Sequence, residues 1–238
     1  MRCLSALAMD DLSRRQICEV RGVPHLVSPI KREAEDHKVK KQCLRVLINL
    51  TFTDAVVVQQ EVKNSGGLQM LVQVMATGPE DLVGLSLQVL MNASANDANA
   101  LVLLQLGVIP HLVNVLRSNL QVYQRYACFV LTNLTCYDPG KSQCEACGAL
   151  PILVGLLNST NKEVQYETLR VLTNVSNAES AKSTLRDLDA IPPLVTLLGR
   201  ATVDQYNPET EKILLHSLWA LTNMATTSKP FSSCLFHF

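Results

Sequence analysis

The chain repeats itself. The stretch LRVLINLTFT at residues 44–53 returns as LRVLTNVSNA at residues 169–178, and two columns of residues run through most of the sequence at nearly one interval. Asparagines fall at Asn49, Asn92, Asn133, Asn174 and Asn223, in steps of 43, 41, 41 and 49. Beside them runs a turn-and-helix segment: GVPHLV from Gly22, GLQMLV from Gly67, GVIPHLV from Gly107, GALPILV from Gly148 and DAIPPLV from Asp189, in steps of 45, 40, 41 and 41. Self-similarity at 20–50 residues marks architectures in which each unit is one supersecondary element. Such a unit cannot bury its apolar face alone, so neighbours must stack into a continuous core.

Within a unit the pattern predicts three helices. In residues 138–177, a short helix follows Asp138-Pro139-Gly140 and ends near Gly148, whose backbone freedom suits a sharp turn. Pro151 stands at the start of a second helix, PILVGLLN, where its missing N–H costs nothing. Thr160 and Glu163 have the T-x-x-E spacing of a capping box. The third helix that follows carries Val164, Thr168, Val171, Leu172 and Val175 at helical intervals. Pro79 after Gly78 and Pro208 after Asn207 suit first helical positions in other copies.

The segment G-A-[IL]-P-x-L-V-x-L-L, followed about 26 residues after its glycine by L-x-x-L-x-N-[LV]-[ST], resembles the armadillo repeat of β-catenin and importin-α. Residues 148–176 match it almost throughout, and the resemblance covers about residues 1–227. HEAT repeats share the period and the helices, but the Gly-x-x-Pro turn and the third-helix asparagine favour armadillo. The resemblance implies an all-α fold, a right-handed α-solenoid or superhelix of about five three-helix units. Their expected bounds are 11–52, 53–95, 96–136, 137–177 and 178–227, with a partial unit at 1–10 that places Met9 in the asparagine column. The fifth unit carries about eight extra residues in RATVDQYNPETEK, spanning 200–211, and the tail 228–238 fits no repeat position and reads as disordered. A start and stop in mid-array, without the polar caps solenoids need, reads as a fragment or variant end of a longer protein. It also predicts aggregation through uncovered terminal faces.

Composition narrows the function. Lys plus Arg equals Asp plus Glu at 21 each, so no net charge draws in nucleic acid or an anionic membrane. The N-terminus MRCLSALAMD has too short an apolar stretch for a signal peptide. The eight cysteines lack framework spacing and read as free thiols in a reducing compartment. The longest apolar runs fall short of the roughly 20 residues a spanning helix requires. A cytoplasmic or nuclear protein, not secreted and not inserted in a membrane, is expected.

Five N-x-[ST] triplets occur, at Asn49, Asn92, Asn133, Asn158 and Asn174. Four lie in the repeat's asparagine column, inside a predicted helix, whereas glycosylation marks surface loops of secreted proteins. Cys144-x-x-Cys147 has the look of a redox or zinc half-site. Column alignment gives both cysteines core-leucine positions instead, Cys147 with Leu106 and Leu188, and Cys144 with Cys18, Leu103 and Leu185. His25 and His111 share a helix-surface column. No phosphate loop, metal cluster or nucleophile elbow is present, so neither an enzyme nor a cofactor is expected.

The surface of the third helices remains. Residues four apart share a helix face, which extends the asparagine column to Lys41, Arg45 and Asn49; Gly84, Gln88 and Asn92; Arg125, Phe129 and Asn133; Tyr166, Arg170 and Asn174; Leu215, Trp219 and Asn223. In the families this chain resembles, the ladder asparagines clamp the backbone of an extended partner segment in a concave groove. The resemblance therefore makes Asn49 to Asn223 the partner-binding candidates, with the basic and aromatic side chains beside them as anchors. The plainer alternative is that the asparagines satisfy backbone carbonyls. Only Trp219 and Asn223 have the W-x-x-x-N form of importin-α; Lys41, Arg45, Arg125 and Arg170 point to an extended acidic or acidic and apolar partner. The expected function is a non-catalytic protein-interaction scaffold, the runner-up a transport or chaperone-like adaptor such as a nuclear-import receptor or small-GTPase regulator.

Overall fold

Apolar residues recurring at helical intervals between turns a dozen or so residues apart predict short packed helices. The computed structural model, which describes residues 11–32, 34–52, 56–203 and 208–226, shows fifteen of them and no strand among the described residues. They fall into five triplets. The first helices are α1 (Asp11–Glu19), α4 (Val56–Asn64), α7 (Asp97–Gln105), α10 (Asp138–Ala146) and α13 (Glu179–Asp187). The second helices are α2 (Gly22–Lys31), α5 (Gly67–Thr77), α8 (Val108–Leu116), α11 (Ala149–Leu156) and α14 (Ile191–Val203). The third are α3 (His37–Thr51), α6 (Glu80–Ala93), α9 (Gln121–Leu134), α12 (Lys162–Val175) and α15 (Pro208–Ala225). No single described helix is long and apolar enough to cross a membrane.

The break between first and second helices is a single left-handed residue. All five described residues with positive φ occupy this one column: Arg21 (φ 55), Gly66 (φ 68), Gly107 (φ 66), Gly148 (φ 69) and Asp189 (φ 53). Its steps are 45, 41, 41 and 41 residues, which corrects the sequence alignment by one position in the first two units. Gly22 and Gly67 are not the turn residues. Each opens a second helix so close to the preceding one that a Cβ on Gly22 would lie 2.8 Å from the Ile17 carbonyl oxygen, and one on Gly67 2.7 Å from that of Val62. The absent side chain there serves packing, and at Gly148, where a Cβ would meet nothing within 4 Å, it serves backbone conformation.

Local signals shift in similar ways. The N-cap of α12 is Asn161, whose side chain accepts from the backbone N–H groups of Glu163 at 2.9 Å and Val164 at 3.2 Å, so the expected Thr160–Glu163 box does not form. Pro79 is an N-cap rather than a first helical residue, Pro151 lies in the first turn of α11, and Pro208 opens α15. The extra residues of the fifth unit lengthen two helices, α14 to 13 residues and α15 to 18. The readings of 1–10 and 228–238 lie outside the described residues.

The chain divides into two compact units, Met1–His111 and Leu112–Phe238. In the first, α3 packs along α6, and each is backed by its own second helix, α2 and α5. In the second, α9, α12 and α15 stack in series, with α14 along α15 and α11 along α12. The core is aliphatic, built on fully buried residues such as Leu47, Leu71, Leu87, Leu103, Leu131 and Leu172.

Candidate functional site

The third helices carry every residue singled out for partner binding, and the asparagine column has a clear geometry. The Asn174 amide nitrogen donates to the Thr132 carbonyl at 3.0 Å and to the Thr135 hydroxyl at 3.2 Å, one repeat back. Asn223 does the same to Thr173 (3.1 Å) and Ser176 (3.2 Å), and Asn92 to Ile48 and Thr51, both at 3.2 Å. In each case the acceptors precede and follow the previous ladder asparagine by one and two residues. The hydroxyl is therefore the third member of that repeat's N-x-[ST] triplet, and it donates back into its own helix, as Thr135 does to Leu131 at 2.8 Å. Asn174 and Asn223 are 0% exposed and Asn133 6%, while Asn49 and Asn92 are half-buried.

The basic candidates are mostly ion-paired. In the first unit the Lys41 ammonium and the His37 ring both reach the Asp81 carboxylate at 2.9 Å, and these hydrogen bonds, His37 foremost, hold the Asp81 carboxyl down to about 2. Arg45 stands exposed one turn on, and Gln88 is half-buried. In the second unit Arg125 pairs with Glu163 at 2.7 Å across α9 and α12, and Arg170 with Glu167 at 3.0 Å along α12. The latter pair is enclosed, with both side chains 11% exposed. Burial pushes the Glu167 carboxyl up while Arg170 draws it back.

Around Arg170 the second unit assembles an aromatic row. Its guanidinium carbon lies 5.3 Å from the centre of the Phe129 ring and 5.8 Å from that of Tyr166. His216 presents an edge contact to Tyr166 at 5.4 Å and to Trp219 at 4.8 Å between ring centres. Three successive third helices thus contribute adjoining groups. Burial and the Arg170 charge bring His216 down to about 4, which keeps its ring neutral. Beside the row lies a cleft of about 200 Å³ lined by Arg125, Lys162, Glu163, Tyr166, Glu167 and Lys212.

The sequence brought Phe129, Tyr166, Arg170 and Trp219 to one face, and the structure sets them there together. It missed Glu167 and His216, which share the column seven residues before the asparagine, and it missed Lys212. A Glu three residues before Arg170 was the available signal. The cysteine pair is accounted for by packing: Cys144 is fully buried, its thiol pushed up to about 12, in the column of Val62, Leu103 and Leu185. Cys18 is one residue out of that column, which Ile17 holds, because Arg21 is the turn residue. Cys18, Cys43, Cys128, Cys144 and Cys147 are free thiols; Cys136 is disulfide-bonded, against the expectation of free thiols throughout. Among the described residues no group of three His, Cys, Asp or Glu could hold a metal.

Three-helix repeats stitched by hydrogen-bonded asparagines define an armadillo-type α-solenoid. Residues 144–176 match the model of the Armadillo/beta-catenin-like repeat. An engineered protein of known crystal structure aligns at 25% identity and a TM-score of 0.81, over 94% of this chain and 88% of that one. A designed armadillo repeat protein in complex with the peptide (KR)4 aligns at 21% identity and a TM-score of 0.79, over 92% and 90%. Computationally designed armadillo repeat proteins for modular peptide recognition give 21%, 0.80, and the same coverage. No curated protein matches the chain in sequence.

Proposed function

We propose that this protein is a non-catalytic interaction scaffold of the cytoplasm or nucleus, holding an extended segment of a partner protein along its third helices. The observation that carries this reading is the row Phe129, Arg170, Tyr166, His216 and Trp219, drawn from three successive third helices. Aromatic and guanidinium groups so aligned are the side chains that anchor interfaces. Designed solenoids of this fold that recognise peptides support the same reading.

The charges favour an acidic and apolar segment. The designed relative holds a (KR)4 peptide. Here the carboxylates of Glu163 and Glu167 are already paired with Arg125 and Arg170, while Lys162, Lys212 and Arg45 stand exposed. Within the second unit a basic segment would meet the exposed cations Lys162 and Lys212 beside acids that already have partners.

The test is fluorescence anisotropy with a peptide library of graded charge. Acidic, apolar peptides should bind more tightly than (KR)4, and Trp219→Ala or Lys162→Glu with Lys212→Glu should weaken them at least about tenfold, which is about 1.4 kcal/mol. Arg170 is a poor choice for charge reversal, since a second acid beside buried Glu167 would unfold the site. Affinities unchanged in both variants would place the binding surface elsewhere.

A further inference from the structure

We propose that the fifth unit carries a phosphate-binding cleft at the edge of the third-helix face, which takes a phosphorylated serine or threonine of the bound segment; this rests on the scaffold reading above. The stretch RATVDQYNPETEK, which holds the extra residues of that unit, supplies Arg200 in the last turn of α14 and Thr210 in the first turn of α15. Both line a cleft of about 340 Å³. Ser159, Thr160 and Lys162, where the chain enters α12, line it as well, over the aliphatic side chains of Leu197 and Ile213.

The polar groups of this lining are hydrogen-bond donors with capacity to spare. The Ser159 hydroxyl accepts from the Asn161 backbone N–H at 3.2 Å, and the Thr160 hydroxyl accepts from the Gln121 side-chain amide at 3.2 Å, so each keeps its own proton to donate. Lys162 and Arg200 are exposed, and no described carboxylate pairs with either. Glu163, next to Lys162 in the chain, is taken by Arg125 at 2.7 Å. Among the described residues neither a carboxylate nor an aromatic ring lines the cleft.

That donor set selects among anions. A carboxylate offers two oxygens in one plane and a single charge. A phosphomonoester offers three oxygens and a charge of about −1.5 to −2. A guanidinium fork, an ammonium and two hydroxyls, brought together from α14 and the start of α12, suit the larger and more highly charged group. With no ring to stack a base, the cleft is poorly suited to a nucleotide or a nucleic acid. Its two cations fall short of the roughly four to eight that an anionic membrane patch uses.

The cleft also lies where a bound segment can reach it. Lys162 and Ile213 line both this cleft and the one beside the aromatic row, where the Lys212 ammonium stands 6.0 Å from the centre of the Tyr166 ring. A segment anchored on Tyr166 and Trp219 therefore brings a neighbouring side chain to Lys162.

The experiment is fluorescence anisotropy of the full chain with three peptide mixtures, identical in their acidic and apolar flanks and carrying Ser, Glu or phosphoserine at the centre. The phosphoserine mixture should bind at least about tenfold more tightly than the Ser mixture, and more tightly than the Glu mixture. Arg200→Gln should abolish that gain with the Ser mixture and the helical circular dichroism unchanged, whereas Trp219→Ala should weaken all three alike. Equal affinities for Ser and phosphoserine, or a gain that survives Arg200→Gln combined with Thr160→Val, would overturn the proposal. Inorganic phosphate that shifts the Arg200 side-chain NMR signal without any phosphoserine gain would make the ligand a free anion, and would overturn it too. The Ser mixture reads the groove alone, so its binding without a phosphoserine gain removes the cleft and spares the scaffold assignment. Binding of the phosphoserine mixture only, lost in Arg200→Gln and kept in Trp219→Ala, does the reverse.

Discussion

The Asn174 side chain donates to the Thr135 hydroxyl at 3.2 Å, and the two residues belong to N-x-[ST] triplets of successive repeats. With the Thr132 carbonyl at 3.0 Å, both hydrogens of a fully buried amide nitrogen have acceptors. Replacing Asn174 by Ala leaves the Thr132 carbonyl without that donor, at a cost of about 1–3 kcal/mol. Asn174→Asp should cost more, because it turns a carboxylate oxygen toward a carbonyl in a dry interface. Urea denaturation of the three proteins measures both. Equal stability of Asn174→Asp and wild type would show that the latch carries no energy.

The two uses of glycine separate in the same assay. Gly67→Ala brings a Cβ to 2.7 Å from the Val62 carbonyl oxygen and 2.9 Å from its Cγ1, so helices must move apart, and about 1–3 kcal/mol of stability is lost. Gly148→Ala has open space but a φ of 69, and costs about 1–2 kcal/mol through conformation alone. Arg21 occupies that conformation as an exposed residue, so Arg21→Gly should stabilise by up to about 1 kcal/mol after the added freedom of the unfolded chain is counted.

Periodicity made the repeat, the helix triplets and the third-helix face legible, because those depend on spacing alone. The turn column was misread by one residue where Gly22 and Gly67 follow the true turn residues Arg21 and Gly66, since a glycine demanded by close packing looks like one demanded by φ. The asparagine column was legible, yet nothing in one repeat announces that its amide is spent on the carbonyl and hydroxyl of the repeat before, which leaves Asn174 and Asn223 buried between repeats instead of open to a partner. Glu167 and His216 stayed hidden for a related reason. Their roles come from neighbours on other helices, and sequence spacing along one helix carries no record of those.

Burial, not zinc or redox chemistry, accounts for Cys128 and Cys144, whose thiols are both pushed up to about 12. Thiolate attack needs an accessible, ionised sulfur. At pH 8 with a thiol-reactive dye, both should label only at the rate of unfolding, and half-buried Cys147 faster. Cys144→Ser then removes one slow equivalent. If it removed a fast one instead, the packing assignment would fail.

His216 gives the fold a defined response to acid. Its ring is neutral in the native state down to about 4, held there by burial and by the Arg170 charge, whereas in the unfolded chain it protonates near 6.5. Because the folded value is the lower one, stability is complete above about 6.5 and declines as pH falls toward about 4, where the loss levels off. The two values set that loss at about 2–4 kcal/mol. Glu167 works in the opposite sense, since its raised carboxyl favours the folded state on protonation, so a single pH profile mixes the two. The difference between wild type and His216→Phe isolates the histidine: the variant's denaturation midpoint should change much less between pH 6.5 and 4. Parallel profiles for the two proteins would mean that the ring between Tyr166 and Trp219 takes up its proton at the same pH in the folded and unfolded chain.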